Sequence, residues 1–152
     1  MIVYEQAIGE AEGDLAIAFE QAFSRNGWGD GWRNGIFSFP HYHSNAHEVL
    51  GIARGHAEVR FGGVNGKVLE VRAGDAVLLP AGTGHQLISS SASLLVIGAY
   101  PPGPTRDLMG SGETEKEEIR RRIKAVPLPD TDPISGSSGP VAKFWNRAKP
   151  GS

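Results

Sequence analysis

Among the 152 residues of the chain there is no cysteine. That absence removes disulfides, thiolate nucleophiles, iron–sulfur clusters and cysteine-bound zinc, so any metal chemistry must run on histidine and carboxylate. Long apolar runs are missing too. Nothing approaches the ~20 residues needed to span a bilayer, and the N-terminus lacks the basic segment, apolar core and small-residue cleavage site of a secretory leader. A soluble cytoplasmic protein with no membrane partner is the expectation. Excess charge of one sign is also lacking: 15 Lys and Arg stand against 17 Asp and Glu, a formal net charge of −2. The one basic cluster, Arg120 to Lys124, follows an acidic run, so nucleic acid is not an expected partner.

Glycine and proline are plentiful, with 21 and 10 residues spread along the chain. That distribution suits many short strands and tight turns, and the length suits one domain over residues 1–152, so an all-β fold is predicted. Two stretches depart from it. Leu15, Ala18, Phe19, Ala22 and Phe23 form one helical stripe behind Asp14, a natural cap, and the helix should end near Asn26-Gly27. The following Trp28 to Gly35 is so rich in glycine that a loop is predicted, with Trp28 and Trp32 packing from it; helix and loop together occupy 14–33. The β pattern fills about 34–101. Ala57, Val59 and Phe61 alternate with Glu58 and Arg60, Asn65-Gly66 marks a hairpin turn, Arg54-Gly55 and Ala73-Gly74-Asp75 mark further turns, and Leu94 to Ala99 reads as a buried strand. Beyond Tyr100-Pro-Pro-Gly-Pro104, a second helix is predicted from Glu113 to Lys124, capped by Ser111 or Thr114, with its acidic start and basic end matching the helix dipole. An irregular tail follows, docked through Phe144-Trp145; this helix and tail occupy 105–147.

The chemistry gathers in two places. In His41-Tyr42-His43 the spacing on a strand points both imidazoles to one face, because side chains alternate with period two. Glu48 begins the apolar run Val49-Leu50-Gly51-Ile52, so a short loop can return its carboxylate beside both histidines, a triad suited to Fe(II) with open positions. Farther on, Pro80 and Gly82 build a tight turn from which His85 opens the next strand as a fourth ligand. Four ligand-type residues at such spacings outweigh the ordinary reading of a lone strand histidine as a hydrogen-bonded structural group. One divalent transition metal is expected on His41, His43, Glu48 and His85, and this donor set suits any of Fe, Mn, Co, Ni, Cu or Zn.

These residues fall into two patterns, Gly35-x5-His41-x-His43-x4-Glu48-x6-Gly55 and Gly74-x5-Pro80-x-Gly82-x2-His85, which resemble the two motifs of the cupin superfamily. Where that pattern often carries Asn four residues after the second-motif histidine, this chain has Ser89. Outside the motifs, His41-Tyr-His-Ser44, His47-Glu48, Tyr100-Pro-Pro-Gly and the proline-rich tail are similar to the YjlB-like cupins. The resemblance implies a double-stranded β-helix, the cupin or jelly-roll barrel, with a metal in its mouth, and a homodimer.

Other residues carry two readings. His47 should face away from Glu48, and His56, just after a turn, should be solvent-exposed. Phe37 and Phe39, in phase with His41, and Tyr100, at the end of the last core strand, either line a substrate pocket or belong to the core. Trp28 and Trp32 read first as fillers of apolar gaps, though either could stack on a substrate. Arg33 and Arg106 read first as surface residues, though either would suit an anionic small-molecule ligand, because three neutral imidazoles, one carboxylate and a divalent ion leave a net charge of about +1. The function expected is a metal-dependent small-molecule enzyme, for which dioxygenase and isomerase are the fitting cupin precedents, with Glu48 either ligating the metal or serving as general base. A non-catalytic small-ligand sensing barrel is the main alternative, and a purely structural dimerising barrel the third.

Overall fold

The computed structural model describes residues 1–9, 13–110 and 116–145. Its elements run β1 (Ile2–Tyr4), α1 (Leu15–Arg25), β2 (Gly29–Asn34), β3 (His41–Tyr42), β4 (Glu48–Arg54), β5 (His56–Phe61), β6 (Lys67–Arg72), β7 (Ala76–Leu79), β8 (His85–Ser90), β9 (Leu95–Tyr100), β10 (Met109–Gly110) and α2 (Glu117–Lys124), with a π-helical turn at Val141–Trp145. The strands form two five-stranded sheets, ordered β1-β7-β4-β9-β2 and β10-β3-β8-β5-β6, with every pairing antiparallel. The chain is thus predominantly β, in the double-stranded β-helix arrangement. Among the described residues no helix is long and apolar enough to cross a membrane.

The first sheet is apolar on both faces because both are covered. Along β4, Leu50 and Ile52 join the cluster between the sheets, whereas Val49 and Ala53 join a second cluster under α1. Strands β7 and β9 divide the same way: Val77, Leu79 and Val96 face inward, and Ala76, Leu78, Ile97 and Ala99 face the helix. Period-two alternation therefore places Glu48 in phase with Leu50 and Ile52, facing the interior. The second sheet is wet on its outer side, as the exposed Glu58 between buried Ala57 and Val59 shows.

Helix α1 starts where Asp14 Oδ1 accepts the Ala16 and Ile17 amides at 2.9 and 3.4 Å. Its buried stripe is Leu15, Ala16, Phe19, Ala22 and Phe23, so Ala16 takes the place foreseen for Ala18. Phe19 fits because β4 offers no side chain at Gly51, where a Cβ would lie 2.6 Å from the phenyl ring.

Three expectations are corrected. The loop predicted over Trp28–Gly35 is largely strand β2, paired with β9 at Trp32↔Gly98, Arg33↔Ile97 and Asn34↔Val96. Glycines weaken a strand standing alone, but β2 is an edge strand ordered by its neighbour, with an irregularity before Trp32 that includes Asp30 at φ 53°. The Trp32 indole fills the space above Gly98, where a Cβ would lie 2.1 Å from it. Strand pairing also extends outside 34–101, through β1 on β7 and β10 on β3. Finally, only half of the Phe144-Trp145 pair docks: Trp145 meets His47 at 5.1 Å between ring centroids, whereas Phe144 is exposed. The tail is held instead at buried Asp132, which accepts the Tyr4 hydroxyl at 2.7 Å and the amides of Ile134, Ser135 and Val141.

Helix α2 has Lys116 at its N-cap position and the expected Glu117–Arg121 and Glu118–Arg122 pairs. The predicted cap residues Ser111 and Thr114, and the helix start at Glu113, lie outside the described residues.

Candidate metal centre

His41 and His85 sit opposite one another across the β3–β8 pair, with ring centroids 4.0 Å apart. His43 lies just past the end of β3, and its carbonyl accepts the Gly82 amide at 2.7 Å, which ties it to the turn before His85. That turn needs glycine: Gly82 has φ 85°, and a Cβ there would meet Ile123 of α2 at 2.8 Å. Glu48 arrives from the other sheet. Its Oε2 lies 3.3 Å from His43 Nε2 and its Oε1 3.3 Å from His85 Nε2. The ligand atoms of His43, Glu48 and His85 all lie within 4.8 Å of one another, a spacing that one metal ion can bridge. His41 is outside this tightest group but lines the same cavity beside His85.

Each imidazole is oriented from behind by a backbone carbonyl. His41 Nδ1 meets Phe39 O at 2.9 Å, His43 Nδ1 meets Asp107 O at 2.5 Å and His85 Nδ1 meets Thr83 O at 3.1 Å. A carbonyl only accepts, so Nδ1 carries the proton in all three rings and Nε2 keeps its lone pair in the neutral form. For His43 and His85 that lone pair faces a carboxylate oxygen, an arrangement that is repulsive unless a positive charge lies between them. The donor set therefore fits a divalent cation. Glu48 is held in turn by the Tyr100 hydroxyl, which donates to Oε2, while Trp32 Nε1 donates to the Tyr100 oxygen at 2.8 Å.

The protonation tendencies match this picture. Burial alone would push the Glu48 carboxyl up, but hydrogen bonds and charge from His43 and His85 outweigh it and hold the group well below the ordinary carboxylate range. Burial works against a charged His43, yet the Glu48 hydrogen bond and charge, aided by Asp107, raise its pKa above the usual value. Burial, reinforced by His85, lowers His41 to about 4. Burial and then Glu48 raise the Tyr100 phenol, so it remains a donor.

The four residues open into a cavity of about 420 Å³, walled mainly by apolar atoms and including Trp32, Phe37 and Tyr100 among its lining. Two pocket candidates are not part of it. Arg33 points the other way, because it follows cavity-facing Trp32 on β2, and its guanidinium pairs with Glu20 of α1 at 2.6 Å, both side chains 43% exposed. Phe39 stacks on Phe37 at 4.8 Å and stands outside the lining, since 36–40 is not a strand and the phase with His41 is lost. His47 faces away from Glu48 as expected, accepting the Ala81 amide and donating to Pro127 O, and His56 is exposed.

Three lining residues, Arg106, Asp107 and Leu108, come from the stretch after the prolines. Arg106 read first as a surface residue, and Asp107 had no signal in the sequence at all. The Asp107 carboxylate accepts from the Ser44 amide at 2.7 Å, from the Ser44 hydroxyl and from Arg122 at 3.3 Å, which fixes the carbonyl that holds His43. Asp107→Ala is expected to weaken metal binding by roughly 10- to 100-fold without unfolding the chain, measured by competition with a chelator.

A family model described as a cupin domain matches residues 34–98. The uncharacterised protein YjlB of Bacillus subtilis (strain 168) is 40% identical over 145 residues, covering 95% of this chain and 85% of that one. Among solved structures, a conserved protein with a double-stranded β-helix domain from Klebsiella pneumoniae shares 22% identity, covering 52% of this chain and 69% of that chain at a TM-score of 0.42. Acireductone dioxygenase from Bacillus anthracis, with a cadmium ion in its active centre, shares 18% identity, covering 58% and 60% at a TM-score of 0.42.

Proposed function

The chain belongs to the cupin family, and from that footing we propose that it is a small-molecule metalloenzyme of dioxygenase or isomerase type, built on a divalent metal held by His41, His43, Glu48 and His85. The observation that carries this reading is the set of carbonyl-oriented imidazoles, two of them aiming Nε2 at one buried carboxylate at the floor of an apolar-walled cavity. Bound there, the ion supplies Lewis acidity and, for redox-active metals, dioxygen chemistry. The chain's part is to aim Nε2 of the carbonyl-oriented imidazoles into one space, to fix the Glu48 carboxylate through the Tyr100 hydroxyl and to offer a cavity beside open coordination positions. Glu48 is assigned as a ligand rather than as a general base, because a carboxyl held so low is a weak base near neutral pH.

Reconstitution with Fe(II), Mn(II), Co(II), Ni(II), Cu(II) or Zn(II), followed by oxygen-uptake and isomerisation assays on a panel of small acids and alcohols, tests the proposal. Turnover that needs the metal and stops in His43→Ala supports it. Tight ligand binding with no turnover across the panel replaces it with a sensing barrel.

Metal binding should also depend on pH in a defined direction. In the metal-free protein His43 stays protonated to above its ordinary value, so the metal displaces one proton, whereas His41, titrating at about 4, has none to lose near neutrality. Affinity is therefore expected to fall about tenfold per pH unit below the His43 pKa. Metal titrations at several pH values between 5.5 and 8, with proton release followed in weak buffer, read this slope; a flat profile contradicts it.

A further inference from the structure

Arg106 lines the same cavity as the three histidines and Glu48, with its guanidinium carbon 4.5 Å from the centroid of the Tyr100 ring. Among the described residues it has no ion-pair partner, and the acids nearby are committed elsewhere. Asp107 is engaged by Ser44 and Arg122, and Glu48 by His43, His85 and Tyr100. Three arginines outside the cavity, Arg33, Arg121 and Arg122, each hold a carboxylate of this chain.

A cation–π contact with the Tyr100 ring uses none of the guanidinium's hydrogen bonds in the way a carboxylate does, and a guanidinium grips a carboxylate through two parallel N–H bonds. We propose that the cavity takes a small carboxylic acid with an apolar body, and that Arg106 is the residue that reads its carboxylate. The proposal rests on the cavity being the ligand site of the metalloenzyme described above. Three features support it. Among the described residues no carboxylate pairs with this half-buried cation. Ile36, Phe37, Leu50 and Leu108 make the walls apolar. Tyr100 carries Arg106 against its ring and donates to Glu48 from its hydroxyl, so the cation and the metal ligands are joined through one side chain. A ligand held this way presents a group a few bonds from its carboxylate to the metal centre.

The test uses paired probes that differ only in charge: benzoate and benzamide, 3-phenylpropionate and 3-phenylpropionamide, isovalerate and isovaleramide. Binding to the full chain is measured by calorimetry, with and without added Zn(II). In at least one pair the acid is expected to bind at least about tenfold tighter than its amide. Arg106→Met should cost that acid roughly 10- to 100-fold while leaving the amide within about twofold, and Arg106→Lys should recover part of the loss. Arg33→Met should change neither. Acid preference that disappears without Zn(II) and is untouched by Arg106→Met would put the carboxylate on the metal and overturn the assignment, as would the absence of acid preference in every pair. Because the acid–amide comparison is made on the unaltered chain, it stands even if a variant fails to fold. A chain that binds no metal yet still selects acids through Arg106 would sink the metalloenzyme reading and keep this one.

Discussion

His43→Ala and His85→Ala are each expected to lose the metal under conditions where the unaltered chain holds one ion. Four-ligand zinc sites in small domains are worth about 10–16 kcal/mol near neutral pH, so one ligand carries roughly 3–4 kcal/mol, or two to three orders of magnitude in affinity. These two residues bring Nε2 to 3.3 Å from opposite oxygens of the same carboxylate, so either truncation removes one side of the cluster. Glu48→Gln should cost at least as much, since the amide keeps the shape but withdraws the negative charge that both imidazoles face. His41→Ala separates three ligands from four. The four-ligand proposal expects its loss to weaken binding by tenfold or more; unchanged binding would show that His41 only packs beside His85. His56→Ala is the control, being exposed and remote. His47→Ala is a second control of another kind: it removes the side-chain partner of the half-buried Ala81 amide and of the Pro127 carbonyl, and should lower stability by about 1 kcal/mol with metal stoichiometry intact. Elemental analysis and chelator competition read the metal outcomes of this set, and denaturant unfolding reads the stability of His47→Ala.

Phe19→Ala is expected to produce the largest loss of stability, about 3–5 kcal/mol, a large share of the 5–15 kcal/mol that holds a typical domain. Phe19 is fully buried and fills the space that β4 leaves open at Gly51, with Phe23 5.6 Å away between centroids. The glycine and the phenyl ring are complementary, so removing the ring leaves a hole directly against the β4 backbone. The effect should reach the metal centre indirectly, because α1 covers the outer face of the strand that begins with Glu48. Denaturant unfolding measures the loss, and a change below about 1 kcal/mol would show that α1 is not part of the cooperative core.

The residues that were legible in the sequence are those whose positions follow from alternation and turn chemistry. Glu48 faces inward because Leu50 and Ile52 do, and His41 meets His85 because a glycine turn starts β8 in that register. Residues whose positions depend on partners distant in the chain were harder to place. Strand β2 reads as a loop because its glycines have no strand preference, and only its pairing with β9 and the seating of Trp32 on Gly98 order it. Strands β1 and β10, at three and two residues, are too short to carry a pattern and exist through β7 and β3. Arg33 and Trp32 were separated only once β2 was a strand, since alternation then sends one to Glu20 and the other to the cavity. Asp107 acts through a backbone carbonyl, which any residue type supplies, so its identity gives no hint of the bond to His43. Arg106 did have a signal: a proline-rich stretch directly after the last core strand tends to fold back over the sheet end it has just left, and a basic residue there is positioned to look into the opening.

The proposed function requires three imidazoles and one carboxylate to share a single ion between the two sheets. Anomalous diffraction from crystals grown with Zn(II) or Co(II), recorded on both sides of the metal absorption edge, tests it most directly. A single strong peak about 2.0–2.3 Å from Nε2 of His41, His43 and His85 and from a Glu48 oxygen is the expected result. A peak only on surface groups such as His56, or none between Glu48 and the histidines, would contradict it.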